Sequence, residues 1–263
     1  MGIAGAVGED WHAGLAALAW QVDLGLTEVI GDLAQSAYDL PERAPWLNLP
    51  QAVPLAPAAP GRPVDPVEVA RSLAALAPDL PALHAVIAGY DLCELKKGAR
   101  STVFADGNPA ARVLILGEAP GRDEDMQGLP FVGAAGQMLD RMLAAIGLSR
   151  QAPAPEHAVY ITNVMPWRPP QNRDPERGEI AMMLPFVERH VALVDPEVIV
   201  LMGNISCVAA LGQKGITRLR GTWTTAFGRP ALPMLHPTSL LQNPAAKREA
   251  WADLLALQAW LRG

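Results

Sequence analysis

Apolar positions in the second half of the chain fall into short continuous runs. Val113-Leu114-Ile115-Leu116 ends at Gly117, Val159-Tyr160-Ile161-Thr162 ends at Asn163, and Val198-Ile199-Val200-Leu201-Met202 ends at Gly203. A fourth, shorter run covers Ala231 to Leu235. Runs without polar alternation predict strands buried on both faces, as in a parallel sheet. Between the runs the apolar spacing lengthens to three and four. It predicts helices over about 135–146, about 176–193 and from Gly203 to about Leu211. A closing helix over 245–261 is expected to bury Trp251, Leu254, Leu255 and Trp260. Strands alternating with helices imply right-handed crossovers and helices on both sheet faces.

The first hundred residues follow other patterns. Trp11, Leu15, Leu18, Val22, Leu26, Val29 and Leu33 recur at helical spacing and predict an amphipathic helix over 10–36. Residues 41–66 then carry eight prolines among many alanines. Proline removes backbone donors and disfavours helix in the residue before it, so this stretch is an extended linker. Residues 67–98 hold two short helices divided near Pro78-Asp79-Leu80-Pro81. The expected division is a helical segment over 1–40, a linker over 41–66 and an α/β domain over 67–263. The catalytic core of that domain begins near residue 99, and what precedes it is an appendage.

Composition narrows the function classes. No apolar run of the 263 residues reaches the length of a membrane span, and the N-terminus lacks a basic stretch followed by an apolar one. Cys93 and Cys207 are the only cysteines and form no C-x-x-C pair, so a cytoplasmic location without a disulfide framework is expected. The net charge of −6 argues against a polyanionic partner until its distribution is considered. Residues 1–90 hold ten acidic and three basic side chains, whereas residues 91–263 hold seventeen acidic and eighteen basic. The motif-bearing part is therefore nearly neutral, and a local basic face is compatible with it.

Candidate chemistry gathers just beyond the strands, where open α/β sheets bind ligands. Gly117-Glu118-Ala119-Pro120-Gly121 is either a tight connection or a turn that lets a ligand approach the backbone. The following Asp123-Glu124-Asp125 would repel an anion, and the Gly-Lys-Ser/Thr of a phosphate loop is missing. Phe131, in a loop between Pro130 and Val132-Gly133, either plugs the core or offers a stacking plate for a base. Asn163 either caps a turn or presents a donor and acceptor pair to a planar ligand. Of the five histidines none shows metal-ligand spacing, so no metal is expected, and His236 alone stands at the ligand-binding edge of the sheet. A Gly-x-Ser-x-Gly nucleophile elbow is absent.

Together these segments resemble family 4 uracil-DNA glycosylases. The resemblance rests on Gly117–Asp125, Gly128–Gly133, Ile161-Thr162-Asn163, Trp167–Arg173, Gly215–Gly221 and His236-Pro237, and spans roughly residues 90–260 in the family's order. It implies a three-layer α/β/α fold with a four-stranded parallel sheet, and an enzyme acting as a monomer on DNA that contains uracil or abasic sites. Phe131 would stack on the flipped base, Asn163 would read its edge, and Gly117, Ala119 and Gly121 would line the pocket. His236 would donate to the uracil oxygen that gains charge. Glu118, or Glu124 in the acidic run, would support the sugar cation or orient water. Arg173, Lys214, Arg218 and Arg220 would meet DNA, with Leu240 or Leu241 as a wedge.

Three departures accompany the resemblance. The family binds a [4Fe–4S] cluster through four cysteines, but only Cys93 occupies an expected position, and Tyr90, Trp167 and Met183 take the others. One thiolate cannot hold such a cube, so the cluster is expected to be lost. Ala119 stands where the best-known uracil glycosylases carry an aspartate. Thr238-Ser239 replaces Ala-Tyr, and Gln242 stands where an arginine is common. These changes leave room for an alternative, a protein of the same fold that binds uracil or abasic DNA with little turnover.

Overall fold

The structure, a computed structural model, describes residues 11–25 and 65–263. Contacts divide the chain into two compact units, Met1–Gly61 and Arg62–Gly263. In the first unit, helix α1 (Trp11–Asp23) closes in a turn at Leu24-Gly25, short of the helix expected over 10–36. Its Leu15, Leu18 and Val22, expected on one apolar stripe, are exposed. Most of the proline-rich stretch lies outside the described residues, as does the remainder of the expected first helix.

The second unit begins with α2 (Pro66–Leu76), α3 (Leu80–Gly89) and α4 (Leu95–Gly98). Asp65 and Asp79 cap the first two by accepting from Val67 and Ala82 amides, and proline stands in the first turn of each. Residues 66–98 are not an appendage. Ala70, Ala74, Leu83, Ile87, Tyr90 and Cys93 are buried in the same core as the sheet. The physical reason is that both helices are too short to bury a face alone and need α7 (Arg177–Val194) to pack against. Arg189 of α7 donates to the Ala77 carbonyl at 2.7 and 2.9 Å and ties down the end of α2.

The sheet has six strands, not four. Ordered across the sheet they are β1 (Ala105–Gly107), β3 (Val159–Asn163), β2 (Val113–Gly117), β4 (Val198–Met202), β6 (Arg229–Met234) and β5 (Thr224–Ala226). The central four are parallel, and β1 and β5 pair antiparallel on the two edges. Each edge strand is three residues long and lacks an apolar run, so nothing local announces it; pairing with β3 or β6 creates it.

Right-handed crossovers settle the layers. The connection from β2 to β3 carries α5 (Arg122–Gln127) and α6 (Ala134–Ala144) over one face. Those from β3 to β4 and from β4 to β6 carry α7, α8 (Asn204–Leu211) and α9 (Ile216–Leu219) over the other. After β6 the chain returns to the α6 side as α10 (Pro237–Gln242) and α11 (Lys247–Leu261). Leaving β2 the chain turns to one side, and leaving β4 to the other. Their carboxyl ends therefore flank the crevice where such sheets take ligands.

Side chains on both faces of the central strands are fully buried, among them Leu114, Ile115, Leu116 and Ile161. Each contributes roughly 1.5–3 kcal/mol by leaving water. On α11 the buried positions are Ala250, Asp253, Leu254 and Leu257, while Trp251 and Leu255, expected inside, are exposed. The helix is rotated because Asp253 turns inward to meet Arg220. Behind β3, the Tyr160 hydroxyl pairs with His190 Nε2 at 2.8 Å. Burial holds His190 neutral, with its pKa lowered to about 3.

Candidate active site

A cavity of about 370 Å³ opens at the crevice between the ends of β2 and β4 and extends to those of β3 and β6. Each strand end delivers one polar group to it: Glu118 after β2, Asn163 at the end of β3, Asn204 after β4 and His236 after β6. Gly117 and Asn163 are register partners across β2 and β3. A Cβ at Gly117 would overlap the Asn163 side-chain oxygen and the Phe131 ring, so glycine there lets all three meet.

Asn163 is 8% exposed, lines the cavity, and among the described residues no group hydrogen-bonds its amide. Among the described residues no buried side-chain nitrogen or oxygen lacks a partner, so the Asn163 amide opens onto the cavity and presents a donor and an acceptor to what fills it. The Phe131 ring lies beside it, 5.3 Å from the His236 ring at 29° between planes. Phe131 itself has φ +52, a conformation that side chains with a Cβ seldom adopt.

His236 caps α10. Its Nδ1 accepts from the Thr238 amide at 3.2 Å and lies 3.1 Å from the Thr238 hydroxyl. An acceptor Nδ1 leaves the proton of the neutral ring on Nε2. His236 lines the cavity and is only partly exposed, and the surrounding protein desolvates it and lowers its pKa to about 4. At neutral pH His236 is thus an uncharged donor.

Glu118 sits against the start of α8, where its carboxylate accepts from the Ile205 amide at 2.9 Å. Burial raises its pKa, and this outweighs the amide bond that favours the charged form. Glu124 takes a different role from the one expected. Its two oxygens accept from the amides of Gly121, Val132 and Gly133 at 2.9–3.1 Å. It staples the glycine turn to the Phe131 loop, because the capping geometry of α5 turns its carboxylate toward those amides. Ala119 and Gly121 line the cavity, and the Ala119 methyl supplies no acid.

The cations expected to meet DNA divide into two groups. Lys214 and Arg218 are exposed and make no ion pair among the described residues. The guanidinium of Arg173 grips Glu179 at 2.6 and 2.9 Å, and that pairing is the main cause of the lowered Glu179 pKa. Arg220 is held by Asp253 and donates to the Glu249 carbonyl at 2.8 Å. Arg220 is thereby an internal tie, whereas Arg173, paired with Glu179, still lines the cavity. Leu240 is likewise buried in the core, whereas Leu241 is exposed. Two organising residues carry no local signal in the sequence. Asn204 accepts from the amides of Gly215 and Ile216 at 3.0 and 2.9 Å, holding the basic loop over the cavity. Arg150 grips the Phe131 loop.

The four positions of the expected cluster are all buried: Tyr90, Cys93, Trp167 and Met183. The Tyr90 hydroxyl donates to the Pro66 carbonyl at 2.7 Å, and its ring meets Phe186 edge-on at 5.3 Å. Trp167 Nε1 donates to Thr102 at 3.1 Å. Burial raises the Cys93 thiol pKa. This set offers one thiol and does not fit a cube that needs four thiolates. Among the described residues no group of three or more His, Cys, Asp or Glu could hold a metal ion.

Comparison with known proteins supplies the family. The model of the uracil DNA glycosylase superfamily matches residues 104–255, which include every cavity residue described above. The chain belongs to the uracil DNA glycosylase superfamily. Within it, the chain is 37% identical over 170 residues to a type-4 uracil-DNA glycosylase of Archaeoglobus fulgidus, covering 61% of this chain and 82% of that protein. A type-4 uracil-DNA glycosylase of Pyrobaculum aerophilum is 36% identical over 185 residues, covering 67% of this chain and 91% of that protein. One from Sulfurisphaera tokodaii is 36% identical over 166 residues, 59% and 73% respectively. The superfamily's match begins at Phe104, at the head of β1, so α2 and α3 precede the matched region while sharing its core. Among the described residues no helix is long and apolar enough to cross a membrane.

Proposed function

We propose that this chain is a monofunctional uracil-DNA glycosylase that flips uracil out of DNA, hydrolyses its N-glycosidic bond and leaves an abasic site. The observation that carries the reading is the unpartnered Asn163 amide, facing a cavity between an aromatic plate and a neutral imidazole. Its donor and acceptor match the edge of a uracil. Phe131 stacks on the ring. As the glycosidic bond lengthens, negative charge gathers on the departing base, and the Nε2–H of His236 donates to the oxygen that receives it. Donors aimed at developing charge are worth about 10²–10³ in rate. Glu118, a partly buried carboxylate, stabilises the sugar cation or orients the attacking water. Lys214 and Arg218 bind phosphates, and Leu241 enters the duplex as the base leaves. Gly117, Ala119 and Gly121 let the base approach the backbone.

The same reading has the protein working as a cytoplasmic monomer on uracil-containing DNA, without an iron–sulfur cluster. It places a glycosylase domain over 67–263 after an N-terminal segment (1–40) and linker (41–66). The replacement of three cluster cysteines by packed Tyr90, Trp167 and Met183 supports the cluster-free form. The deciding experiment incubates labelled uracil oligonucleotides, single- and double-stranded, with the protein and then treats them with alkali. Strand scission at uracil is the expected result, and intact DNA defeats the proposal. An absorbance scan of the purified protein is expected to lack iron–sulfur bands. A second reading, binding of uracil or abasic DNA with little turnover, is favoured by Ala119 in the cavity wall. Tight abasic-site binding with at most one turnover would select it.

A further inference from the structure

The loop that presents Phe131 is gripped from both sides. Glu124 holds the amides of Val132 and Gly133. On the other side Arg150 donates to the carbonyls of Pro130 and Phe131 at 2.9 and 3.0 Å. The Arg150 side chain is only 8% exposed, and two carboxylates fix two of its other donors. Asp106 of β1 accepts at 3.0 Å and Asp140 of α6 at 2.8 Å. Below the loop, Gly136 lies so close that a Cβ there would overlap the Phe131 carbonyl. Phe131 meanwhile holds φ +52, which a phenylalanine leaves unless its neighbours over-determine it.

We infer that Arg150 is a positioning residue for base recognition: it clamps the carbonyls of Pro130 and Phe131 and so fixes the aromatic plate against Asn163 and His236. The inference rests on the glycosylase reading above and names a residue that touches neither base nor DNA. The planar guanidinium suits the task because it reaches two carbonyls and two carboxylates at once. A lysine ammonium in its place has three donors and no fixed plane. If the clamp loosens, the loop relaxes toward negative φ and the ring leaves the cavity. Phosphate contacts at Lys214 and Arg218 are untouched. Arg150 therefore acts on the base and not on the affinity for DNA as such.

The test compares wild type, Arg150→Lys, Phe131→Ala and the double variant, each with its fold checked by circular dichroism. Three quantities are read: single-turnover uracil release, inhibition by free uracil, and affinity for a uracil-free duplex. Arg150→Lys is expected to slow release and weaken uracil inhibition by about tenfold each, as small misplacements of a reacting geometry do. Duplex affinity stays within about twofold, and Arg150→Lys adds nothing in the Phe131→Ala background, since both changes remove the same interaction. Unchanged release and inhibition would overturn the inference. So would an equal loss in the Phe131→Ala background, which means that Arg150 acts elsewhere. If Arg150→Lys fails to fold, Asp140→Asn, at a half-exposed partner, carries the test: a loss of about twofold to threefold in the same two readouts is expected, and none overturns the clamp. Wild type that releases no uracil defeats the glycosylase reading and the clamp with it. Wild type that releases uracil as fast as Arg150→Lys defeats the clamp alone.

Discussion

At the cavity floor, Glu118, Phe131 and His236 are each held by protein hydrogen bonds, whereas at the rim Lys214 and Arg218 stand in solvent without an ion pair among the described residues. In the proposed reading the two regions meet different parts of one substrate. Charge that appears during bond cleavage is stabilised only by dipoles already in place, because reorganising them would consume the gain. A phosphate backbone is a flexible polyanion, and screened attraction to mobile cations suffices to hold it. The floor therefore needs fixed geometry, and the rim needs only charge.

Breaking the floor has the larger expected effects. His236→Ala removes the proposed donor to the departing base and should lower single-turnover uracil release by about 10²–10³. Asn163→Ala removes the amide proposed to read the base and is expected to cost about tenfold to hundredfold in the same assay. A loss confined to duplex affinity in either variant would erase the distinction between floor and rim.

A pH profile sharpens the comparison further. Two groups shape the acid limb. Glu118, raised above the ordinary carboxylate range by burial, loses its charge first. His236, which must be neutral to leave Nδ1 as an acceptor, protonates as pH drops through about 4. Uracil release should therefore begin to fall before His236 titrates and fall further through about 4. Stability moves with it. Unfolded histidine titrates near 6.5, whereas folded His190 and His236 take up protons only near about 3 and about 4. Below pH 6.5 the unfolded chain binds protons that the folded chain refuses. The contribution is thus fully present above pH 6.5, and the melting temperature declines as pH falls toward 4.

The rim gives the smallest effects. Lys214→Ala or Arg218→Ala should each reduce the slope of log affinity against log salt by about one, uniformly across sequences. Release at saturating enzyme should stay within about twofold of wild type, since neither side chain belongs to the floor.

The central four strands, the helices between them and the strand-end positions of Asn163 and His236 were legible because apolar runs and the residues that follow them are local signals. The edge strands were not, since three residues take strand form only through a neighbour. The face of α11 misled for a related reason: counting apolar positions placed Trp251 inside, while Asp253 had an ion-pair partner 33 residues away. Arg150 offered no signal, because an arginine in a loop before a strand is ordinarily a solvated charge. Its meaning lies in carbonyls 19 and 20 residues earlier.

Sequence by itself determined which chemical groups follow the ends of the central strands, and that the chain has two cysteines, fewer than a four-thiolate cluster needs. Residue type and periodicity carry that information without reference to distant parts of the chain. Tertiary structure alone decided which of those groups remain available. It turned Glu124 and Arg220 into internal ties, paired Arg173 with Glu179 at the cavity wall, buried Leu240, left the Asn163 amide without a partner among the described residues and set Phe131 at positive φ between Arg150 and Glu124. Availability depends on whether a complementary group lies within about 3 Å in space, and proximity in space is what a linear order of residues does not contain.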